Sequence, residues 1–151
     1  MISFDTNVLV YATATASASD ERVSRARDLL ARAMQATNAV FLLQSLAEFS
    51  SVAVRKAGIP VENVARIVKA WCAVLPIQSA DESDLVLALD AVRSHRLAFW
   101  DAMLWASAQR AGVRQILTED FQDGFVLGDV TFINPFKPEN DPLIDTLFSH
   151  S

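Results

Sequence analysis

Four acidic residues of this chain are embedded in apolar sequence. Asp5 directly follows a short apolar run at the N-terminus, and Glu48 lies in the segment Leu-Ala-Glu-Phe. Asp101 lies in Phe-Trp-Asp-Ala-Met-Leu-Trp, and Asp120 follows another apolar run. A carboxylate among apolar residues is costly unless something compensates its charge, and a divalent metal ion is the usual partner. Because carboxylates and water are the ligands that Mg²⁺ and Mn²⁺ prefer, the four acids indicate metal-ion chemistry.

Each acid also has a purely structural explanation. Asp5 can cap the helix that follows it, and Glu48 can be a solvated acid near the favourable end of its helix. Asp101 can be a first-turn acid, although a helical wheel places it within the apolar stripe of its own helix. Asp120 can belong to a turn that leads to Gly124. The four explanations are weaker together, because all four acids fall at strand ends or helix starts on one predicted sheet edge.

Other types of catalysis lack the residues they need. The single cysteine, Cys72, has no histidine near it in sequence, His95 ends a predicted helix and His150 lies in the terminal tail. There is no Gly-x-Ser-x-Gly motif, and the chain has only 4 glycines and no glycine-rich phosphate loop. Oxygen-ligand metal chemistry is what is left, and it suits hydrolysis of a phosphodiester by activated water.

The bulk properties predict one soluble domain over residues 1–151. The chain has 151 residues, 52% of them hydrophobic, and no apolar run near the roughly 18 residues that span a membrane. We therefore expect a cytoplasmic protein with no membrane contact. The net charge of −5 argues weakly against a nucleic-acid partner, but metal ions would reverse the local potential of an acidic cluster. Arg22, Arg25 and Arg55 are candidates for phosphate contacts, with solvated helix surface as the alternative.

Predicted strands and helices alternate along the chain, which indicates an α/β domain with a mainly parallel sheet. The predicted strands are 2–4, 39–43, 74–77, 115–118 and 130–133. The predicted helices are 20–35 (capped by Ser19 or Asp20), 45–56, 61–72, 81–95 and 98–111. Sites in such sheets form beyond the carboxyl ends of the strands, where Asp5 and Asp120 are expected. Residues 136–151 are expected to form an irregular C-terminal tail.

Four segments, taken in order, resemble the motifs of a known family. They are Asp5–Tyr11, Leu46–Phe49, Leu97–Ala102 and Ile116–Gly124. Together they resemble the PIN-domain ribonucleases, especially the VapC-type toxins of bacterial toxin–antitoxin pairs. The order, the spacing and almost the whole length agree, through Phe136.

The resemblance implies a three-layer α/β/α fold and a Mg²⁺- or Mn²⁺-dependent endoribonuclease. It implies that the metal is held, directly or through water, by Asp5, Glu48, Asp101 and Asp120, with Asn7 and Thr118 as supporting polar groups. In the fourth motif Glu119, Asp120 and Asp123 are all candidates, and Asp120 matches the family best. The resemblance further implies a homodimer, an RNA substrate (typically transfer RNA) and a small antitoxin whose C-terminal segment lies over the site.

Two other functions are compatible with parts of this pattern. A PIN-like module that binds RNA or protein without cutting is one, although such a domain would be expected to have lost at least one acid. A phosphotransfer protein with an aspartate after its first strand is the other. Dehalogenase-type phosphatases need a second aspartate where this chain has Asn7, and receiver domains need a late lysine. Lys137 is the only lysine after Lys69, and it lies beyond the last predicted strand.

Overall fold

Strands and helices alternate along the computed structural model, which describes residues 1–15 and 20–149. Within these residues the strands are β1 (Ile2–Phe4), β2 (Phe41–Leu42), β3 (Ile77–Gln78), β4 (Gln115–Leu117), β5 (Val126–Leu127) and β6 (Val130–Ile133). The helices are α1 (Thr6–Thr13), α2 (Glu21–Ala36), α3 (Leu43–Arg55), α4 (Val61–Cys72), α5 (Glu82–His95), α6 (Phe99–Arg110) and α7 (Asp141–Ser149), with a short 3-10 helix at Pro138–Asn140. No helix of these residues is both long and apolar enough to cross a membrane.

The central sheet is mainly parallel, as predicted. Its strand order is β1-β4-β6-β5, and only the β5–β6 pair is antiparallel. Strands β2 and β3 form a parallel pair, and a parallel bridge between Ile2 and Ala39 joins this pair to β1. In register, Phe4 of β1 lies beside Leu117 of β4. The residues that follow these two strands therefore come out next to each other at one sheet edge.

Consecutive strand residues point into two different cores, because side chains alternate across a strand. Phe41, Leu117 and Ile133 pack in one core together with apolar side chains of α1, α2, α3, α4 and α7. Their neighbours Leu42, Ile116 and Phe132 pack in the other with side chains of α5 and α6. Helices thus cover both faces of the sheet. This confirms the three-layer α/β/α arrangement and explains why the strands are apolar without alternation.

Several helix starts follow the sequence signals. Asp5 caps α1 and Asp20 caps α2, each by accepting a hydrogen bond from a backbone N–H of the first turn. Ser19, the other candidate cap of α2, lies outside the described residues. Asp81 and Asp84 form a reciprocal capping box at the start of α5.

The C-terminal segment and one short strand differ from the sequence prediction. The expected irregular tail over 136–151 is wrong for Asp141–Ser149, because α7 occupies these residues and buries Ile144 completely in the first core. The proline-rich stretch before α7 ends regular structure, but Pro142 lies in the first turn of α7, where its missing N–H has no intrahelical partner to lose. Strand β5 was not predicted, because two residues carry too little pattern to identify a strand.

Candidate active site

Asp5 lies at the carboxyl end of β1 and is only 8% exposed. Its Oδ1 accepts a hydrogen bond from the Thr6 backbone N–H at 2.7 Å, and its Oδ2 accepts one from the Thr118 hydroxyl at 2.7 Å. Burial raises the pKa of Asp5 to about 6, against the lowering effect of these two hydrogen bonds. The nearby charges of Asp120 and Glu48 raise the pKa further. Capping and a site position therefore coexist in this residue.

Thr118 connects the polar groups at this sheet edge. Its hydroxyl donates to Asp5 and accepts from the Asn7 side-chain amide at 3.2 Å and from the Asp120 backbone N–H at 3.1 Å. The Asn7 amide also donates to Asp120 Oδ2 at 3.0 Å. Three of these four contacts join residues more than 100 positions apart, because β1 and β4 are neighbours in the sheet. Asn7 and Thr118 thus contact Asp120 and Asp5.

Glu48 reaches the same edge from α3. It is exposed, and its carboxylate accepts hydrogen bonds from the Thr6 hydroxyl at 3.2 Å and from the Gln44 side-chain amide at 3.0 Å. Helix α3 begins at Leu43, two residues earlier than predicted, so Glu48 lies in its second turn. Gln44 did not figure among the predicted site residues. Its spacing of four residues from Glu48 on one helix was the available signal.

Asp101 lies in the first turn of α6 and is exposed, so its predicted place within a buried stripe was wrong. The seven residues that follow it, 102–108, are all buried, which means that α6 is covered on every side there. A helical wheel has no polar face to identify in such a helix. Surrounding protein nevertheless raises the pKa of the Asp101 carboxyl, and the charges of Asp120 and Glu48 raise it further.

The four acids lie within electrostatic range of one another. Asp120 and Glu48 each raise the pKa of both Asp5 and Asp101. Across residues 1–15 and 20–149, none of the four acids takes part in an ion pair. Their negative charge is therefore not compensated by arginine or lysine there.

A hard divalent cation fits this donor set in chemistry and in charge. As the side chains stand, no group of three His, Cys, Asp or Glu residues within the described part of the chain could hold one ion directly. Mg²⁺ does not require such a group, since it usually keeps several waters and binds through one or two carboxylates plus substrate phosphates. The acids fit an ion held partly through water.

The structure separates the three candidates of the fourth motif. Glu119 turns away, because its carboxylate accepts from the Tyr11 hydroxyl at 2.6 Å and pairs with Arg22 at 3.3 Å. Asp120 is the one held by Asn7, beside the other acids.

Asp123 stabilises the segment after β6 instead. It accepts from the Asn134 backbone N–H at 2.8 Å and from the Asn140 amide at 2.9 Å, and it pairs with Lys137 at 3.5 Å. Burial acts to raise its pKa, but these hydrogen bonds and Lys137 hold the pKa below its ordinary value. Lys137 thus pairs with Asp123 and not with Asp5, which does not favour a receiver-type phosphotransfer site.

Among the residues that the structure describes, none of the candidate phosphate-binding arginines pairs with one of the four acids. Arg22 pairs with Glu119, and Arg25 contacts Asp141 at 2.7 Å and the Pro135 carbonyl at 3.2 Å. A cavity of about 670 Å³ lies beside these two arginines, and none of the four acids lines it. Arg55 is exposed in the last turn of α3, two helical turns after Glu48, with no ion pair among the residues that the structure describes.

Comparison with known proteins adds a family and a fold. The family model of the PIN domain matches residues 2–123. VapC20 of Mycobacterium tuberculosis, a sarcin-ricin loop cleaving toxin, is a similar solved structure, with a TM-score of 0.65, 20% identity and coverage of 87% of this chain and 99% of that one. A toxin–antitoxin complex from Klebsiella pneumoniae has a TM-score of 0.63 and 18% identity over 89% of this chain and 98% of that one.

FitAcB from Neisseria gonorrhoeae is also similar, with a TM-score of 0.64 and 19% identity over 90% of this chain and 99% of that one. No curated protein sequence matches the chain. At these identities the solved structures establish the fold. The family model spans more than half of the chain and includes all four acids, so this chain belongs to the PIN domain family.

Proposed function

We propose that this protein is a Mg²⁺- or Mn²⁺-dependent endoribonuclease that acts as the toxin of a type II toxin–antitoxin pair. The observation that carries the proposal is the group of four acids at one sheet edge with no cation paired to them among residues 1–15 and 20–149. The PIN family and the toxins among the similar structures support the same function. The substrate we propose is single-stranded or looped RNA, with transfer RNA as one candidate.

The metal would be held by Asp5, Glu48, Asp101 and Asp120, directly or through water. When bound, such an ion activates water for attack on phosphorus and stabilises the charge that develops on the phosphate oxygens. The chain's own residues orient the acids. Thr6 and Thr118 hold the two oxygens of Asp5, and Asn7 holds Asp120.

Partners are proposed on separate grounds. The toxin–antitoxin complex among the similar structures supports a small antitoxin that inhibits the site. Helix α5 exposes Leu85, Val86, Leu87 and Leu89, each with more than a third of its surface in solvent. Such an apolar face is typical of an interface, and it supports a homodimer.

The decisive experiment is cleavage of RNA by the purified protein with Mg²⁺ or Mn²⁺. Asp101→Asn removes one ligand charge from an exposed position, so the fold should persist while the rate falls by about 100-fold or more. Asp129→Asn is the matched control, because Asp129 is an exposed acid in the β5–β6 connection. Chelator should abolish cleavage by the wild type. Equal cleavage by the wild type and Asp101→Asn would exclude this site.

A PIN-like module that binds RNA or protein without cutting is the alternative that the experiment must separate. Calorimetric titration with Mg²⁺ or Mn²⁺ measures ion binding independently of turnover. Binding of the ion and of RNA with no cleavage of any RNA tested would favour the non-catalytic module. The presence of all four acids favours the enzyme.

A further inference from the structure

An apolar groove lies directly beside the acids, between α3 and α6. We call it the Trp100 groove; it has a volume of about 530 Å³, and its lining includes Leu43, Gln44, Glu48, Trp100 and Met103. This volume falls in the range of about 300–1,000 Å³ that is typical of ligand sites. Glu48 belongs both to the groove and to the acid site.

Trp100 is exposed to an unusual degree for its size. Its exposed fraction is 63%, whereas Trp71 and Trp105 are buried at 8% and 5%. The indole is nevertheless held in place, since its ring packs edge-on against Phe99 with 5.0 Å between the ring centroids. A large aromatic surface that is exposed but supported is typical of a binding surface.

Gln44 connects the groove to the acid site. Its side-chain amide donates to the Trp100 carbonyl at 2.9 Å and to the Glu48 carboxylate at 3.0 Å. Asp101, the next residue after Trp100, is one of the four acids. A ligand that filled the groove would therefore continue into the acid site.

Of the three candidate phosphate-binding arginines, only Arg55 has no ion pair among the residues that the structure describes, which favours base contacts. Of the candidate phosphate-binding residues, Arg22 and Arg25 are paired with acids of the protein, and the chain carries a net charge of −5. Phosphate contacts alone thus offer little attraction for RNA. Stacking of unpaired bases on aromatic side chains is the usual alternative source of affinity for single-stranded RNA.

We propose that the Trp100 groove binds one unpaired nucleobase of the RNA substrate, stacked on the indole, beside the phosphate that is cut at the acids. This inference rests on the proposed nuclease function, since it names the subsite next to the scissile phosphate. It makes Trp100 a positioning residue that selects single-stranded over base-paired RNA.

The test measures RNA binding without turnover. The wild-type protein in chelator is titrated with a single-stranded RNA decamer and, separately, with an abasic ribose-phosphate chain of the same length. Because the other two tryptophans are buried, emission quenching reports on Trp100. We expect saturable quenching by the RNA and little by the abasic chain. Trp100→Ala should bind the RNA about 5- to 140-fold more weakly, the fold-change equivalent of 1–3 kcal/mol of stacking, and Trp100→Phe should retain most of the affinity.

Val126→Ala is the matched control, because Val126 is an exposed apolar residue on β5 and should leave binding unchanged. If Trp100→Ala does not fold, the proposal is still tested by the RNA affinity of Trp100→Phe and by the quenching of the wild type with the RNA decamer and with the abasic chain. Equal quenching by both chains, or unchanged RNA binding by folded Trp100→Ala, would overturn the proposal. The proposal would also be overturned if Trp100→Ala had a different oligomeric mass in solution and unchanged RNA binding. The groove would then be an interface between copies of this chain.

The two proposals fail in different ways. If the protein binds RNA through Trp100 but no metal-dependent cleavage occurs, the nuclease function fails and the base subsite stands as an RNA-binding site. If cleavage occurs and Trp100→Ala has an unchanged KM, the base subsite fails and the nuclease stands. Where both hold, Trp100→Ala raises KM more than it lowers kcat for single-stranded RNA.

Discussion

Replacing Asp5 by asparagine should stabilise this protein at neutral pH while it removes a proposed metal ligand. Burial raises the pKa of Asp5 to about 6 from the ordinary value of 3.8. The native state therefore binds this proton more tightly than the unfolded chain does. Between these two pKa values the native state holds more protons, so the free energy of unfolding falls as pH rises through this window. The charged carboxylate is a cost that the fold bears above pH 6.

The size of this cost follows from the two pKa values. At 1.36 kcal/mol per pKa unit, the ionised Asp5 lowers the free energy of unfolding by about 3 kcal/mol at pH 8. At pH 5, below the native pKa, the same linkage lowers it by only about half as much. Asparagine offers one oxygen where the carboxylate has two, so it loses one of the hydrogen bonds from Thr6 and Thr118, which costs about 1 kcal/mol. Asp5→Asn should thus be more stable than the wild type by about 2 kcal/mol at pH 8.

Urea unfolding in chelator from pH 5 to pH 8 measures this directly, with Asp129→Asn as the exposed-acid control. The stability advantage of Asp5→Asn should grow by about 1 kcal/mol over this range, a difference that does not depend on the lost hydrogen bond. Adding Mg²⁺ should reduce the stability difference between Asp5→Asn and the wild type, because an ion at ten times its Kd stabilises the wild type by about 1.4 kcal/mol. A difference in the free energy of unfolding between Asp5→Asn and the wild type that is constant with pH, or that shrinks as pH rises, would refute the reasoning about buried charge.

Three further changes test individual contacts. Asp84→Asn removes the buried partner of Arg110, which lies at 2.9 Å, and should lower the free energy of unfolding by about 3 kcal/mol in urea; a loss below 1 kcal/mol would show the pair to be dispensable. Gly128→Ala should cost about 1–2 kcal/mol in the same assay, because Gly128 has a φ of +55° and a Cβ there would meet the Gln109 side chain at 2.5 Å; unchanged stability would contradict this. Thr118→Val deletes a hydrogen-bond donor to Asp5, so the pKa of Asp5, followed by NMR, should rise above about 6 and not fall.

The alternation of elements and the position of the first acid could be read from the sequence. Apolar runs without polar alternation indicate strands covered on both faces, and the two cores on either side of the sheet bear this out. Asp5 directly follows one predicted strand, and Thr118 is the last residue of another. Neighbouring parallel strands bring such residues together at one edge, so the polar network of Asp5, Asn7 and Thr118 could be anticipated in outline.

Contacts between distant parts of the chain decided the rest. Glu119, Asp120 and Asp123 lie in the same connection after β4, so the local sequence does not distinguish them. Tyr11 and Arg22 hold Glu119 away from the site, and Asn134 and its neighbours hold Asp123. Asp120 is therefore the acid of this segment that stays at the site. Such partners lie up to 108 residues away in sequence, beyond any local pattern.

Exposure was decided in the same way. A helical wheel placed Asp101 within the apolar stripe of its helix, yet Asp101 is exposed at the start of a helix whose residues 102–108 are all buried, and so is the preceding residue, Trp100. Local sequence indicated most of the helices and the longer strands, because helix hydrogen bonds, helix caps and side-chain periodicity act over a few residues. The packing of whole helices against the sheet determined which acids face one another, which arginines are paired and which tryptophan meets solvent.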